Sequence, residues 1–292
     1  MLEKITDRIY YMKHENETDR PALGVVRGDN CCLIIDSGNS PKHAREFRKE
    51  IEALHFPPVK YVVATHHHWD HVFGLEEWKE AITIANVKTY EYMKTYCDLT
   101  YDDLSLEKAI ENKIFLDFSV KAMKAEIEDN AHFHPINFNV AFQGELTIDL
   151  GGVTCLIKEI MSPHTDDSTI IFVPEEKTMF LGDCVYGYIS QGYNYFNREL
   201  TEKMISNIEQ YKADYYLISH EPICTREEIK TYWKQLQMGA AMTKYSNNLD
   251  EAVLEFKKAY GKEPTNEELF FIKSFGVGEG WGRTGKLEPR LF

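Results

Sequence analysis

The chain has 292 residues, 43% of them hydrophobic and 27% charged, which is typical of a globular protein and excludes a mainly disordered one. The net charge of −14 argues against nucleic acid as the main partner, because an acidic surface repels phosphate backbones. The six cysteines form no C-x-x-C pair, and the sequence shows neither a signal peptide nor an apolar run of membrane-spanning length. We therefore expect a cytoplasmic protein with reduced thiols and no membrane association.

The first third of the chain is predicted to alternate strands and helices. Runs rich in β-branched and aromatic residues predict strands at IYYMK, ALGVVRG, NCCLIIDSGNS and VKYVVAT. Between the last two runs, PKHAREFRKEIEALHF has apolar residues at helical spacing after a proline that can open a helix. A further helix is predicted at VFGLEEWKEA and a strand at ITIANV. This order indicates an α/β layered fold.

Residues 65–71, THHHWDH, place four histidines and one aspartate directly after the predicted strand VKYVVAT. A packed core has little use for this cluster, because each buried ring nitrogen needs a partner and the charged form is costly to bury. The C-terminal ends of strands are where α/β folds commonly place their chemistry. A metal site would explain the cluster if matching ligands occur elsewhere in the chain.

Two later parts of the chain are predicted to be mainly helical. Residues 88–135 contain one proline, no glycine and many Lys, Glu, Met and Ala residues, so we interpret them as a helical insertion. Short strands return from residue 138, with one helix predicted at about 200–212. From about residue 225 the chain is helical and charged, and it ends in a glycine-rich tail, FGVGEGWGRTGKLEPRLF. We predict one domain of residues 1–225 and a helical C-terminal extension of residues 226–292 packed on it.

Three later residues share the context of the histidine cluster. His164 in MSPHTDDS, Asp183 in MFLGDCV and His220 in LISHEP each follow a strand-like apolar run, directly or after a short turn. If these strands lie side by side, their ends converge on the face that carries THHHWDH. One histidine at a strand end is weak evidence, whereas an H-x-H-x-D-H core with three strand-end ligands is hard to produce by accident.

With these residues, the chain resembles the metallo-β-lactamase-fold hydrolases. Seven positions match the H-x-H-x-D-H motif of that superfamily and its later His, Asp and His: His66, His68, Asp70, His71, His164, Asp183 and His220. The stretches IIDSG and HTDDSTIIFVPEEKTMFLGD are also similar, and the resemblance covers about residues 1–222. It implies a four-layer αβ/βα sandwich.

The resemblance also implies two metal centres. The ligands of the first metal would be His66, His68 and His164, those of the second would be Asp70, His71 and His220, and Asp183 would bridge the two. Nitrogen and carboxylate ligands suit two divalent ions, with zinc expected and iron or manganese as alternatives. A shared water, activated as hydroxide, would attack the substrate, with Asp70 and Asp183 as the catalytic carboxylates.

Several neighbours of the motif are assigned from their context. His67 matches a variable position and is interpreted as partly exposed or as a neighbour of the ligands. Asp36 ends a predicted strand. We expect it to hydrogen-bond to a ligand or to residues 65–71, the ligand loop. The remaining isolated histidines of the first third are interpreted as surface residues: His14, His43 and His55.

The tyrosine-rich run CVYGYISQGYNYF follows Asp183 directly. Tyr186 and Tyr188 are the candidate substrate-binding residues, because either could donate a hydrogen bond to a developing oxyanion. The alternative is that these tyrosines only pack beneath a loop.

The leading hypothesis is a dinuclear metal hydrolase that cleaves an ester, thioester, lactone or related bond of a small molecule. The alternatives are an oxidoreductase with one iron, resembling the persulfide dioxygenases, and a phosphodiesterase on the same fold. A binding protein with an inactive site is disfavoured because all seven ligands are present. The helical insertion and the C-terminal extension would cover the cleft or form the interface of a homodimer.

Overall fold

The structure of the chain is a computed structural model that describes residues 1–190 and 193–281. Within these residues, two large β-sheets pack face to face and helices cover the outer face of each sheet. One cluster of buried apolar side chains lies between the sheets, and two more lie between the sheets and the helices. The predicted four-layer αβ/βα sandwich is therefore confirmed.

The first sheet contains the strands predicted in the first third of the chain. Its strands are β1 (Glu3–Lys4), β2 (Ile9–Met12), β3 (Leu23–Arg27), β4 (Cys32–Ile35), β5 (Val59–Val63), β6 (Ile82–Asn86) and β7 (Val140–Phe142). They lie side by side in chain order, antiparallel from β1 to β4 and parallel from β4 to β7. The parallel half places the ends of β4, β5 and β6 at the same edge.

Strand β4 shows why the middle of this sheet is apolar throughout. Cys32 and Ile34 belong to the cluster under the helices, whereas Leu33 and Ile35 face the second sheet. Successive side chains of a strand point to opposite faces, and here both faces are covered. The continuous apolar run that predicted this strand follows from that double burial.

The second sheet contains six strands within the described residues. They are β8 (Glu145–Asp149), β9 (Thr154–Glu159), β10 (Thr169–Val173), β11 (Thr178–Gly182), β14 (Tyr215–Ile218) and β15 (Cys224–Thr225). Their order is β15-β14-β11-β10-β9-β8, and β11 and β14 run parallel, so the C-terminal ends of these two strands are adjacent. A separate hairpin pairs β12 (Tyr188–Ser190) with β13 (Tyr193–Tyr195).

Five helices accompany the first half of the described chain. They are α1 (Pro41–Ala53), α2 (Trp69–Val72), α3 (Val87–Asp98), α4 (Asp103–Glu111) and α5 (Asp117–Glu126). Helix α1 begins at Pro41, and the side chain of Ser40 caps it by accepting a hydrogen bond from the backbone of His43. Helices α3 to α5 lie in the segment interpreted as an insertion, although the domain division itself stays a prediction.

The helix predicted at VFGLEEWKEA is wrong in its position. Helix α2 ends at Val72, and a separate 3₁₀ turn follows at Leu75–Trp78. Gly74 separates the two, and its amide donates a hydrogen bond to the carbonyl of Gly38. A Cβ atom on Gly74 would lie 2.1 Å from the carbonyl oxygen of Ser37, so the chain must break the helix to pass this close to the loop after β4.

Four helices cover the second sheet in the described residues. They are α6 (Arg198–Ile208), α7 (Arg226–Thr243), α8 (Leu249–Tyr260) and α9 (Asn266–Gly278). Reciprocal hydrogen bonds with a glutamate three residues later cap α7 at Thr225 and α9 at Thr265. No helix among the described residues combines the length and the apolar character needed to cross a bilayer.

The glycine-rich tail predicted from Phe275 is helical over its first residues. Helix α9 continues to Gly278 because its glycines allow close contacts that a side chain would block. A Cβ atom on Gly278 would lie 2.1 Å from the carbonyl oxygen of Phe196, and one on Gly276 would meet the ring of Trp281. The remainder of the predicted tail, from residue 282 onward, lies outside the described residues.

Candidate metal centre

The seven histidine and aspartate side chains singled out in the sequence meet at one edge of the two sheets. The loop after β5 carries His66 and His68, and the short helix α2 that follows carries Asp70 and His71. The loops before β10, after β11 and after β14 carry His164, Asp183 and His220, respectively. They form two groups with Asp183 in both, and the ligand atoms of each group lie within 4.8 Å of one another.

The first group contains three imidazoles and one carboxylate. Nε2 of His164 lies 3.1 Å from Nδ1 of His68. Oδ2 of Asp183 lies 3.6 Å from Nε2 of His164 and 4.0 Å from Nε2 of His66. All four residues turn a ligand atom toward a common point, and His66, His164 and Asp183 are buried.

The second group contains two imidazoles and two carboxylates. Oδ2 of Asp70 lies 3.0 Å from Nε2 of His71 and 3.2 Å from Nε2 of His220. Oδ2 of Asp183 lies 3.6 Å from both of these nitrogens. The same oxygen of Asp183 therefore faces imidazoles of both groups.

The backbone before Asp183 has a geometry that suits glycine. Gly182, the last residue of β11, has a φ of +55°, and the register with β14 shifts between Phe180 and Gly182. A Cβ atom on Gly182 would lie 2.6 Å from the side chain of Thr65. This close approach brings β11 against the ligand loop and sets the direction in which Asp183 leaves the sheet.

Asp36 forms hydrogen bonds with the ligand loop, as the sequence predicted. Its Oδ1 accepts a hydrogen bond from the backbone amide of Thr65 at 2.7 Å, and its Oδ2 accepts one from the Thr65 hydroxyl at 2.9 Å. Oδ2 also lies 2.8 Å from Nδ1 of His71. With Nδ1 as the donor, Nε2 of His71 is left as the atom that faces the second group.

In the second group, the carboxylates raise the pKa values of the two imidazoles. Burial alone would lower the pKa of His220, but Asp183 and Asp70 outweigh this effect and raise it to about 9. Burial would also lower the pKa of His71, yet the surrounding carboxylates, chiefly Asp70 and Asp36, hold it well above its usual value. Both shifts favour the protonated form of these imidazoles when no metal ion is bound.

In the first group, by contrast, the pKa values of two imidazoles are lowered. Burial lowers the pKa of His66 well below its usual value, and the neighbouring His71 lowers it further. Burial and the neighbouring His164 likewise lower the pKa of His68. Neutral imidazoles with free lone pairs are the form that binds a metal ion.

The residues fit divalent metal ions. Nε2 of His66 and Oδ1 of Asp183 are buried, and neither makes a hydrogen bond within the described residues. Buried polar atoms are normally paired, so these atoms indicate a ligand at the point that they face. Imidazole and carboxylate donors suit zinc, iron or manganese.

His67 does not join either group and is not exposed. Its Nδ1 lies 3.0 Å from Oδ2 of Asp167, which also accepts a hydrogen bond from the hydroxyl of Thr89 on α3. The ring of Tyr92 on the same helix lies 4.2 Å from the His67 ring, centroid to centroid. This buried contact ties the ligand loop to the first helix of the predicted insertion.

Of the three histidines predicted at the surface, one is buried. His43 lies on the inner face of α1 and is fully buried, so that interpretation was wrong. Its position four residues before Phe47 and eight before Ile51, on the same face of the helix, was the signal that could have shown this. Burial lowers the pKa of His43 to about 3, which keeps the ring neutral. His55 is exposed and His14 is half-buried.

Asp19 is a neighbour of the site that no sequence motif indicated. Its Oδ1 lies 3.9 Å from Nδ1 of His220, and its φ of +58° is unusual for a residue other than glycine. Burial and the charge of Asp70 raise the pKa of Asp19 to about 7. The adjacent Arg20 anchors the loop by pairing with the buried Glu126 at the end of α5.

The two candidate tyrosines make different ring contacts. The ring centroid of Tyr186 is 6.2 Å from that of His164 and 6.4 Å from that of His220. Tyr188 lies in the hairpin, where its ring is 6.2 Å from that of Tyr195. Residues 191–192 of the same tyrosine-rich run lie outside the described residues.

Comparison with known proteins places this geometry in a family. The family model described as the metallo-β-lactamase superfamily matches residues 22–220, which include all seven ligand candidates. No curated protein matches the chain in sequence.

Solved structures share the fold at low sequence identity. A metallo-β-lactamase from Pontibacter korlensis is 19% identical with a TM-score of 0.55, and the alignment covers 81% of this chain and 98% of that one. The stereoselective inverting sec-alkylsulfatase Pisa1 from Pseudomonas sp. is 14% identical with a TM-score of 0.62. That alignment covers 92% of this chain but 47% of the sulfatase, so the chain spans about half of the larger enzyme.

Proposed function

We propose, since the chain belongs to the metallo-β-lactamase superfamily, that it is a hydrolase with two metal ions that cleaves an ester, thioester, lactone or related bond of a small molecule. The observation that carries this proposal is the position of Asp183. One of its oxygens faces imidazoles of both groups, which supports the proposal of a ligand shared by two ions.

Bound metal ions would supply an activated water and polarise the oxygen of the bond that is cleaved. Zinc is the metal that we propose, because imidazole and carboxylate ligands suit it and it needs no redox partner. His66, His68 and His164 would hold one ion, and Asp70, His71 and His220 the other. Asp183 would contact both.

The residues of the chain have separate tasks in this reaction. Asp70 lies within 3.2 Å of both imidazoles of its group, so its second oxygen is available to orient a water and to carry a proton to the leaving group. Asp36 orients His71 through Nδ1. Tyr186 lies beside both groups, where its hydroxyl could donate a hydrogen bond to a developing oxyanion.

The substrate is proposed to be a small molecule and not a nucleic acid. The net charge of −14 supports this, because phosphate backbones would be repelled. We also propose that the protein acts in the cytoplasm and that Tyr188 contributes to substrate binding. Two copies of the chain would associate through the helical insertion or the C-terminal extension.

Metal analysis combined with activity tests this function. We expect about two zinc ions per chain and cleavage of aryl esters or thioesters that needs no oxygen and is lost with a chelator. One iron per chain with thiol-dependent oxygen uptake would instead identify a dioxygenase. Cleavage of phosphodiesters alone would identify a phosphodiesterase, and a chain that binds no metal would refute the proposed reaction.

A further inference from the structure

A cleft of about 570 Å³ lies on the side of the second sheet, lined in part by residues that closely follow the ligand candidates Asp183 and His220. It lies between the loop after β11, the loop after β14 and the helices α7 and α9. Tyr186 connects this cleft with the centre, because it lines the cleft and its ring lies 6.2 Å from that of His164 and 6.4 Å from that of His220. Glu221, the residue that follows His220, lines the cleft as well.

Most of the cleft surface is apolar. Its lining includes Ile223 of the loop after β14 and two residues of α9, Phe270 and Phe271. Tyr232 of α7 and Val185 also line the cleft, and the Tyr232 hydroxyl donates a hydrogen bond to the Val185 carbonyl at 3.1 Å. A volume of this size holds a small organic group, and an apolar lining stabilises a group of the same character.

The charged residues that line the cleft are all acidic in the described part of the chain. They are Glu221, Glu228 and Glu267, with no lysine, arginine or histidine among the lining residues. Glu228 is engaged in capping α7 through Thr225. Glu221 and Glu267 are exposed, and the structure records no ion pair for either one. These two side chains therefore make the cleft negatively charged, which is also the sign of the net charge of the protein.

We propose that this cleft binds the apolar part of the substrate and that the substrate is uncharged or positively charged there. This inference rests on the proposed function for its assignment to a substrate, whereas the cleft and its charge stand by themselves. An anionic group in the cleft would face two carboxylates with no cation to offset them, so acidic esters, thioesters and lactones are poor substrates.

Three probes with the same apolar body test the inference: 4-phenylbutan-1-ol, 4-phenylbutylammonium and 4-phenylbutyrate. Their affinities for the full chain are measured by calorimetry, both with metal and after chelation, because a carboxylate can bind a metal ion directly. We expect the butyrate to bind the chelated protein at least about tenfold more weakly than the ammonium at low salt, and the alcohol to bind. Equal affinity of the butyrate and the ammonium would overturn the inference.

Substitutions of residues that line the cleft test whether the probes bind there. Ile223→Trp fills one side of the cleft, and Phe270→Ala removes an exposed part of its lining with little risk to folding; each should weaken binding of the alcohol by about fivefold or more. Glu267→Lys should shift the ratio of butyrate to ammonium affinity by about fivefold toward the butyrate. The control is Glu202→Lys on α6, which makes the same charge change at an exposed position outside the cleft and should leave the ratio within about twofold.

The outcomes separate this inference from the proposed function. If folded Ile223→Trp and Phe270→Ala both bind all three probes as the wild type does, the cleft assignment is wrong, even if the protein hydrolyses esters. If the probes bind in the expected order but metal-dependent hydrolysis is absent, the cleft is supported as a binding site and the proposed reaction is refuted.

Discussion

Oδ2 of Asp36 lies 2.8 Å from Nδ1 of His71, while Nε2 of the same ring faces the second metal group. Because this contact sets the tautomer and the orientation of His71, we expect Asp36→Asn to weaken binding of the second metal ion by about 10–100-fold. Titration with a competing chelator would measure the effect.

The control for Asp36 is Asp98→Asn, which changes an exposed carboxylate at the end of α3. Its metal affinity should equal that of the wild type. Since Asp36 also holds Thr65, a thermal unfolding curve must show that Asp36→Asn is folded. A folded variant that retains wild-type affinity for both ions would show that His71 does not depend on this carboxylate.

Asp70 is the residue whose loss should affect catalysis most. We expect Asp70→Ala to lower kcat by at least about 10²-fold, because a ligand of the second group and a proton carrier are removed together. The fold should be nearly intact, and circular dichroism together with steady-state kinetics on an aryl ester would test both statements. Activity at the wild-type level would eliminate the mechanism that assigns the proton transfer to Asp70.

Metal binding should depend on pH through His220. Its pKa of about 9 means that this imidazole carries a proton in the metal-free protein at neutral pH, and a metal ion must displace that proton. The affinity for the second ion should therefore rise with pH between 6 and 8, by about tenfold per pH unit for each proton displaced. Chelator competition at several pH values measures the slope, and a flat profile would contradict the assigned protonation.

Asp167 should matter for stability rather than for chemistry. It is fully buried, and although burial would raise the pKa of its carboxyl, His67 holds that pKa below its usual range, so the group stays ionised. We expect Asp167→Ala to lower the free energy of unfolding of the metal-free protein by about 3 kcal/mol, because His67 and Thr89 lose their buried partner.

Asp98→Ala is the matched control for Asp167→Ala, since it removes an exposed carboxylate at the end of α3. Its urea unfolding curve should differ from that of the wild type by less than about 1 kcal/mol. Equal stability of the two variants would mean that the buried contact between the ligand loop and α3 contributes little.

Strands buried on both faces were the part of the fold that the sequence predicted best. The run CLII of β4 is apolar at every position because each side chain enters one core or the other. The helix at VFGLEEWKEA was misplaced because Gly74 must approach the carbonyl of Ser37, a contact between segments far apart in the chain. Local propensity carries no information about such a contact.

The candidate ligands could be named from the sequence, because their residue types and the strands before them are local features. Their neighbours could not be assigned in the same way. Asp19 approaches His220 across about 200 residues of chain, and the partner of His67 is Asp167, in a loop of the other half of the sandwich. Neither pairing follows from a pattern in the chain.

The sequence by itself therefore determined the α/β layering, the strand ends that carry histidine and aspartate, and the type of ligand that those side chains favour. Only the tertiary structure decided that one oxygen of Asp183 faces both groups and that an apolar, acidic cleft lies behind Tyr186. The physical reason is that periodicity and composition act over a few residues, whereas a shared ligand and a cleft depend on how strands of two sheets and helices of distant segments pack together.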